Sequence, residues 1–302
     1  MKRLPQIGWL ADGRRLHLQD GPIDLIVEAR CSETDLRAAY QAAVHRFTGL
    51  LDELCDELAL LRQAADPAKC LLEGPVARRM HAAVAPFAAD HFITPMAAVA
   101  GSVAEEILGI MQREASLERA YVNNGGDIAL HLADGEQFTV GLIDRPSSLG
   151  LMRTTIIDAC DPSRGVATSG RHGRSFSLGI ADAVTVLART AARADAAATI
   201  VANAVDLPGH RAIARCPAQE LQPDSDLGAR LVTRDVGPLE QFEIACALEA
   251  GLDKAQALFA AGLIDGAALH LHGETRVMAL KSFGAKLRQA PSPRHVESAV
   301  HA

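Results

Sequence analysis

Three short segments in the middle of this chain concentrate residue types able to bind and transform a small molecule. The first, Asn123-Asn124-Gly125-Gly126-Asp127, lies between Ala120-Tyr121-Val122 and Ile128-Ala129-Leu130, so polar and glycine residues interrupt an apolar strand pair. Adjacent glycines accept positive φ and let backbone N–H groups come close to a ligand. Such a loop can cradle phosphate or ribose while Asp127 accepts hydrogen bonds; the same spacing also describes an ordinary Asn-Gly hairpin turn. The second segment, Ala167-Thr168-Ser169-Gly170-Arg171-His172-Gly173, gathers hydroxyls, glycines, a cation and an imidazole. Backbone nests and Arg171 can hold a pyrophosphate. His172, with an ordinary pKa of about 6.5, can serve as acid or base near neutrality; an exposed loop accounts for the same residues. In the third, Asp195 and Thr199 stand at i and i+4, on one face of a helix, where carboxylate and hydroxyl oxygens can reach one cation. Two oxygens do not hold Mg²⁺ alone. The remaining positions must come from carbonyls, water and substrate phosphates, and an Asp and a Thr on an Ala-rich helix are otherwise plain surface.

The elements that position these segments follow from periodicity. Arg14–Gln19 and Asp24–Ala29 flank Asp20-Gly21-Pro22 as an opening hairpin. Ser32 with Asp35 caps a helix expected to run to about Gln63, and Val76–Ala89 reads as an interrupted helix. Pro95–Arg113 is a small-residue helix, Ala120–Leu132 a strand broken by the Asn-Gly loop, and Gln137–Ile143 its expected partner strand. A strand falls within Leu149–Cys160, Gly165–Gly170 reads as a glycine-bounded turn, Ala183–Leu187 as a strand and Ala191–Ala204 as a helix. Phe242–Ala250 and Asp253–Ala261 are helical, with strands expected at Gly266–His272 and Thr275–Leu280. His270 and His272 would then share a strand face, a spacing open to metal but ordinary for a strand. Trp9, the only tryptophan, is expected to anchor the hairpin, and His81 and His91 are not expected to converge.

Bulk properties narrow the class. The 302 residues are 49% hydrophobic and 22% charged, enough for a real core, and only 4% are aromatic, so the core is built from small aliphatic side chains in layered α/β packing. A net charge of -7 argues against nucleic acid, which needs a concentrated basic surface. The start of the chain is no secretory signal, and Met96–Ala104 is too short to cross a bilayer, so a soluble cytoplasmic protein without a membrane partner is expected. The six scattered cysteines form no zinc pattern and read as reduced thiols.

Taken in order, the three segments resemble the ApbE family of flavin transferases, which move FMN from FAD onto a protein threonine. The matches are Val122-Asn123-Asn124-Gly125-Gly126-Asp127-Ile128, Val140-Gly141-Leu142-Ile143-Asp144-Arg145-Pro146, Ala167-Thr168-Ser169-Gly170, Val184-Thr185-Val186 and Asp195-Ala196-Ala197-Ala198-Thr199. Together they cover about a third of the chain. The resemblance implies an α/β (α+β) ApbE-like single large domain over 1–290 with mixed sheet layers and flanking helices. Its motif-bearing core would span about 95–205, with 291–302 a flexible tail. It further implies that Asn123, Asn124, Gly125, Gly126, Asp127, Thr168, Ser169, Gly170 and Arg171 line a site for FAD or FMN. Asp195 and Thr199 would hold Mg²⁺, which would neutralise the pyrophosphate as a hydroxyl attacks and AMP leaves. His172 and Asp182 are the acid–base candidates. Two departures place the chain in a divergent branch: the family's Lys-Gly-Tyr helix is here Ala100-Gly101-Ser102, and its His-x-x-Asp-Pro segment is reduced to Ser177–Asp182.

Three functions stay open on these residues. One is a Mg²⁺-dependent enzyme handling a flavin or other pyrophosphate cofactor, with a possible protein acceptor and a possible homodimer. Another is a non-catalytic flavin- or nucleotide-binding protein of the same fold. The last is an enzyme of coenzyme biosynthesis, pterin or one-carbon, since one fold hosts many functions.

Overall fold

The computed structural model describes residues 4–143, 151–279, 288–289 and 299–301. In chain order the strands are β1 (Gln6–Trp9), β2 (Leu16–Asp20), β3 (Ile23–Arg30), β4 (Arg119–Asn124), β5 (Asp127–Leu132), β6 (Gln137–Ile143), β7 (Leu151–Asp158), β8 (Gly165–Ser169), β9 (Ala183–Ala188), β10 (Ile213–Pro217), β11 (Leu231–Val236), β12 (Gly266–Leu271), β13 (Glu274–Ala279), β14 (Arg288–Gln289) and β15 (Ala299–His301). The helices are α1 (Glu33–Phe47), α2 (Leu50–Asp56), α3 (Leu58–Leu61), α4 (Pro75–Val84), α5 (Val99–Glu114), α6 (Ala191–Ala204), α7 (Ala218–Leu221) and α8 (Gln241–Ala260).

Period-two alternation divides the strand residues between two faces. Ala120 and Val122 of β4, Ala129 of β5 and Val184 and Val186 of β9 turn to the helix layer. Tyr121, Ile128, Leu130, Val166 and Leu187 turn the other way, onto Phe138, Val140 and Ile157 of β6 and β7. Among the described residues, nine strands make one sheet in the order β1-β2-β3-β4-β5-β8-β9-β12-β13, antiparallel at every pairing. A smaller sheet, β14-β7-β6-β15, covers part of its far face, and mixed strand direction is confined there, in the parallel β15–β6 pair. The mixture of helix and strand is the α/β class expected. No helix of the described residues is long and apolar enough to cross a membrane, and all six cysteines are unpaired.

Several element boundaries differ from expectation, each for a local reason. The first helix keeps its cap, since the Asp35 N–H donates to Ser32 Oγ at 3.1 Å, but it ends at Phe47 because Gly49 takes a φ of 89°. β6 pairs with β7 rather than β5; Gly135, at φ 84°, redirects the chain, and the edge of β5 is taken by β8. Gly165–Ser169, expected as a turn, is a strand bonded on both sides. The two C-terminal helical stretches are one helix, α8. Gly251 in its middle lets it lie on Val205 and Leu269, where a Cβ would come within 2.3 and 2.7 Å of side-chain carbons. His272 leaves the strand for the β12–β13 turn at φ 46°, so it does not share a strand face with His270. Trp9 meets Tyr40 edge-on at 5.3 Å and stays 57% exposed, so its packing on the hairpin is made at the rim. Asp144, Arg145 and Pro146, and the expected tail at 291–302 apart from β15, lie outside the described residues.

Candidate functional site

The Ala-rich sequence of α6 determines where its one carboxylate goes. Ala191, Ala192, Ala194, Ala196, Ala197 and Ala198 are buried, so the helix packs closely against strand and helix alike. Two glycines complete the fit. A Cβ on Gly101 of α5 would stand 2.3 Å from the Ala191 carbonyl oxygen, and one on Gly165 of β8 would stand 2.1 Å from the Thr190 carbonyl carbon. The helices also exchange hydrogen bonds: Ala192 N–H donates to Glu105 at 2.8 Å, and Gly101 N–H donates to Asp195 Oδ2 at 3.0 Å. Asp195 is thereby held against the first turn of α5, with Thr199 one turn further along and likewise partly buried.

The second carboxylate arrives from the sheet. The Asn-Gly segment is a two-residue hairpin turn between β4 and β5, with Gly125 at φ 65° and Gly126 at φ 114°. Its asparagines fasten it: Asn123 Oδ1 accepts from Gly126 N–H at 2.8 Å, and Asn124 Nδ2 donates to the Ala100 carbonyl at 3.2 Å. Asp127, the first residue of β5, accepts from Thr168 N–H at 3.2 Å, while Thr168 Oγ1 lies 2.8 Å from Thr185 Oγ1. Thus Asp127 and Thr168 meet across β5 and β8.

The Asp127 charge reaches Asp195. Burial raises the Asp127 carboxyl from 3.8 to about 7, with Thr168 N–H and the Arg174 guanidinium partly opposing the rise. Burial and the Asp127 charge lift Asp195 well above the ordinary carboxylate range, against the backbone N–H groups of Gly101 and Ala100. Two partly buried carboxylates that repel one another resist simultaneous ionisation and favour a proton on one of them or a nearby cation. Among the described residues no three His, Cys, Asp or Glu side chains gather as a metal cage. A cation at this pair would draw its other oxygens from Thr199, backbone, water or ligand, the usual pattern for Mg²⁺.

The expected catalytic pair is also brought together, but with its charge committed. Asp182 is 3% exposed. It accepts from Arg171 Nε at 2.8 Å and from the His272 N–H at 2.7 Å, and His172 Nε2 lies 3.2 Å from its Oδ1. Burial would raise its carboxyl, yet the His272 N–H, Arg171 and His172 outweigh that and keep it below the ordinary value. Asp182 therefore stays ionised and orients its neighbours. Arg171, expected to clamp phosphate, is only 13% exposed and spends its guanidinium on Asp182. Gly170 packs backbone to backbone on Asp182, where a Cβ would meet its carbonyl oxygen at 2.5 Å, and Ser169 pairs in register with Val184.

Two partners of these residues are not apparent along the chain. The Asp127 charge acts on Asp195, 68 positions further along by subtraction of their numbers. The backbone of Ala100 and Gly101, what remains of the Lys-Gly-Tyr helix, supplies the donors for Asp195. The retained Gly101 was the available signal.

The family model described as AbpE bacteria matches residues 7–277. The chain belongs to that family. The expected ApbE-like, divergent branch is borne out by this match and by the archaeal relatives. A UPF0280 protein of Methanopyrus kandleri is 34% identical over 186 residues, 60% of this chain and 69% of the relative. One from Methanothermobacter thermautotrophicus is 40% identical over 138 residues, which is 45% of this chain and 51% of that protein, so the match spans about half the relative's length. Among solved structures, the flavin transferase ApbE from Vibrio cholerae aligns over 94% of this chain and 98% of its own, at 12% identity and a TM-score of 0.43.

Proposed function

We propose that this AbpE-family chain binds a pyrophosphate-bearing cofactor, FAD foremost, together with a divalent cation, in the recess between the β4–β5 turn, the end of β8 and α6. The observation that carries this reading is the Asp127–Asp195 pair: two partly buried carboxylates on separate elements, each shifted upward, a pair that calls for a positive partner. The donors are all oxygen, which suits a hard cation such as Mg²⁺. Flavin is preferred over other pyrophosphates because the five motifs stand in the order the flavin transferases use.

When bound, the metal would offset phosphate charge as AMP departs. Asp127 and Asp195 would hold it, with Thr199 one helical turn beyond Asp195 as a further oxygen donor. The Asn123–Gly126 turn and Thr168–Gly170 form the walls against which the ligand lies. His172, oriented by Asp182, is the proposed proton carrier for an attacking hydroxyl, such as a protein threonine. Asp182 acts as its positioning residue.

A second reading, cofactor binding without transfer, is favoured by Ala100 in place of the family's lysine and by the absence of the His-x-x-Asp-Pro segment. Incubating the protein with FAD, with and without Mg²⁺, and following both bound flavin and released AMP separates the two. Mg²⁺-dependent binding with AMP release that falls at least tenfold in His172→Ala supports transfer. Bound flavin with no AMP supports the binding protein, and no flavin binding at any Mg²⁺ concentration overturns both.

A further inference from the structure

We infer that Arg174, not Arg171, is the phosphate-binding side chain of this site, a mobile guanidinium at its mouth that closes onto the ligand's phosphates. The inference rests on the proposed pyrophosphate reading and adds the residue that would select for it. Arg171 is ruled out for this task by its two hydrogen-bonded contacts to buried Asp182, whose loss would strand a charge. Arg174 follows three positions later in the same bend. Its side chain is 65% exposed and lies over the β4–β5 turn, so close that a Cβ on Gly125 would stand 3.3 Å from the guanidinium carbon. Gly125 thus leaves room for the guanidinium as well as supplying the φ of 65° that the turn requires.

The tethers on Arg174 are weak. Its Nη1 donates to the Pro22 carbonyl at 3.3 Å, and its Nη2 is 3.9 Å from Asp24 Oδ2. Asp24 has a nearer partner, with His17 Nε2 at 2.7 Å from its other oxygen. Departure of Arg174 therefore leaves Asp24 paired with His17 and no buried charge exposed. A guanidinium offers two parallel N–H groups that match a phosphate's oxygens, a contact stronger than either present tether. Arg174 also lies within electrostatic reach of Asp127, the carboxylate proposed to hold the cation. Cation on one side and guanidinium on the other would bracket a pyrophosphate.

The test compares wild type, Arg174→Ala, Arg174→Lys and Arg171→Ala in calorimetric titrations with FAD, riboflavin and inorganic pyrophosphate, each with Mg²⁺. The expected result is an affinity for FAD and pyrophosphate at least tenfold weaker in Arg174→Ala, with partial recovery in Arg174→Lys. Riboflavin, which carries no phosphate, should respond equally in wild type and Arg174→Ala, and the melting temperature of that variant should be unchanged. Arg171→Ala should instead lower the melting temperature. Unchanged FAD and pyrophosphate affinity in Arg174→Ala would overturn the clamp while leaving the cofactor reading intact. Wild type that binds pyrophosphate but no flavin, with the same dependence on Arg174, would keep the clamp and remove the flavin; binding of neither would remove both.

Discussion

At the scale of single residues, burial and the Asp127 charge set the protonation of Asp195. Both Asp127 and Asp195 titrate above an ordinary aspartate, and this fixes the sign of their effect on stability. The unfolded chain loses these protons near pH 4, whereas folded Asp127 keeps its proton to about 7. The pair therefore favours the folded state in acid, and that contribution is lost as the pH rises from about 4 through 7. Removing one charge should flatten the decline. We expect metal-free Asp195→Asn to melt a few degrees above wild type at pH 8 and close to it at pH 5. Thermal melts across that pH range check this; a wild-type and variant profile of equal slope contradicts it. Asp182, by contrast, is satisfied by a guanidinium, an imidazole and a backbone N–H and should contribute stability throughout neutral pH.

At the scale of elements, the proposed site depends on α6 lying directly against α5 and β8. Gly101 makes that approach possible: a Cβ there would sit 2.3 Å from backbone atoms of Ala191, and nothing flexible can yield. Gly101→Ala should cost about 3 kcal/mol or more and weaken any ligand held by Asp195, because overpacking displaces the N–H that Asp195 accepts. Gly109→Ala, on the same helix but 3.6 Å from only the Arg113 side chain, should be neutral or stabilise by about 0.5–1 kcal/mol. Denaturant unfolding of the two variants distinguishes a packing requirement from general helix propensity, and equal effects would contradict the close-contact account. This contrast also shows what the sequence could reveal. The Ala191–Ala204 helix, the opening hairpin and the Asn-Gly turn were legible because local composition determines them. The strand at Gly165–Ser169 was not, because its glycine answers to a neighbour 25 residues away at Thr190, and only the packed structure shows that. For the same reason the partner of β6 and the company kept by Arg171 escaped a reading along the chain.

At the scale of the whole molecule, one long antiparallel sheet gathers residues from Gln6 to Ala279, and the site sits where its middle strands end against the helix layer. Asp127 enters from β5, Thr168 from β8 and Asp195 from α6, so no fragment carries the site alone. Cation binding should stabilise the entire fold: at about a hundred times the dissociation constant it would add roughly 2.7 kcal/mol. Whether Asp195 binds a cation is decided by a calorimetric titration of Mg²⁺ into the protein with FAD present, at pH 6 and pH 8, for wild type and Asp195→Asn. We expect one divalent ion per chain in wild type, bound at least tenfold more tightly at pH 8 because the carboxylates no longer hold their protons, and no measurable binding in the variant. Equal Mg²⁺ binding by wild type and variant, or none by wild type at pH 8, would contradict it.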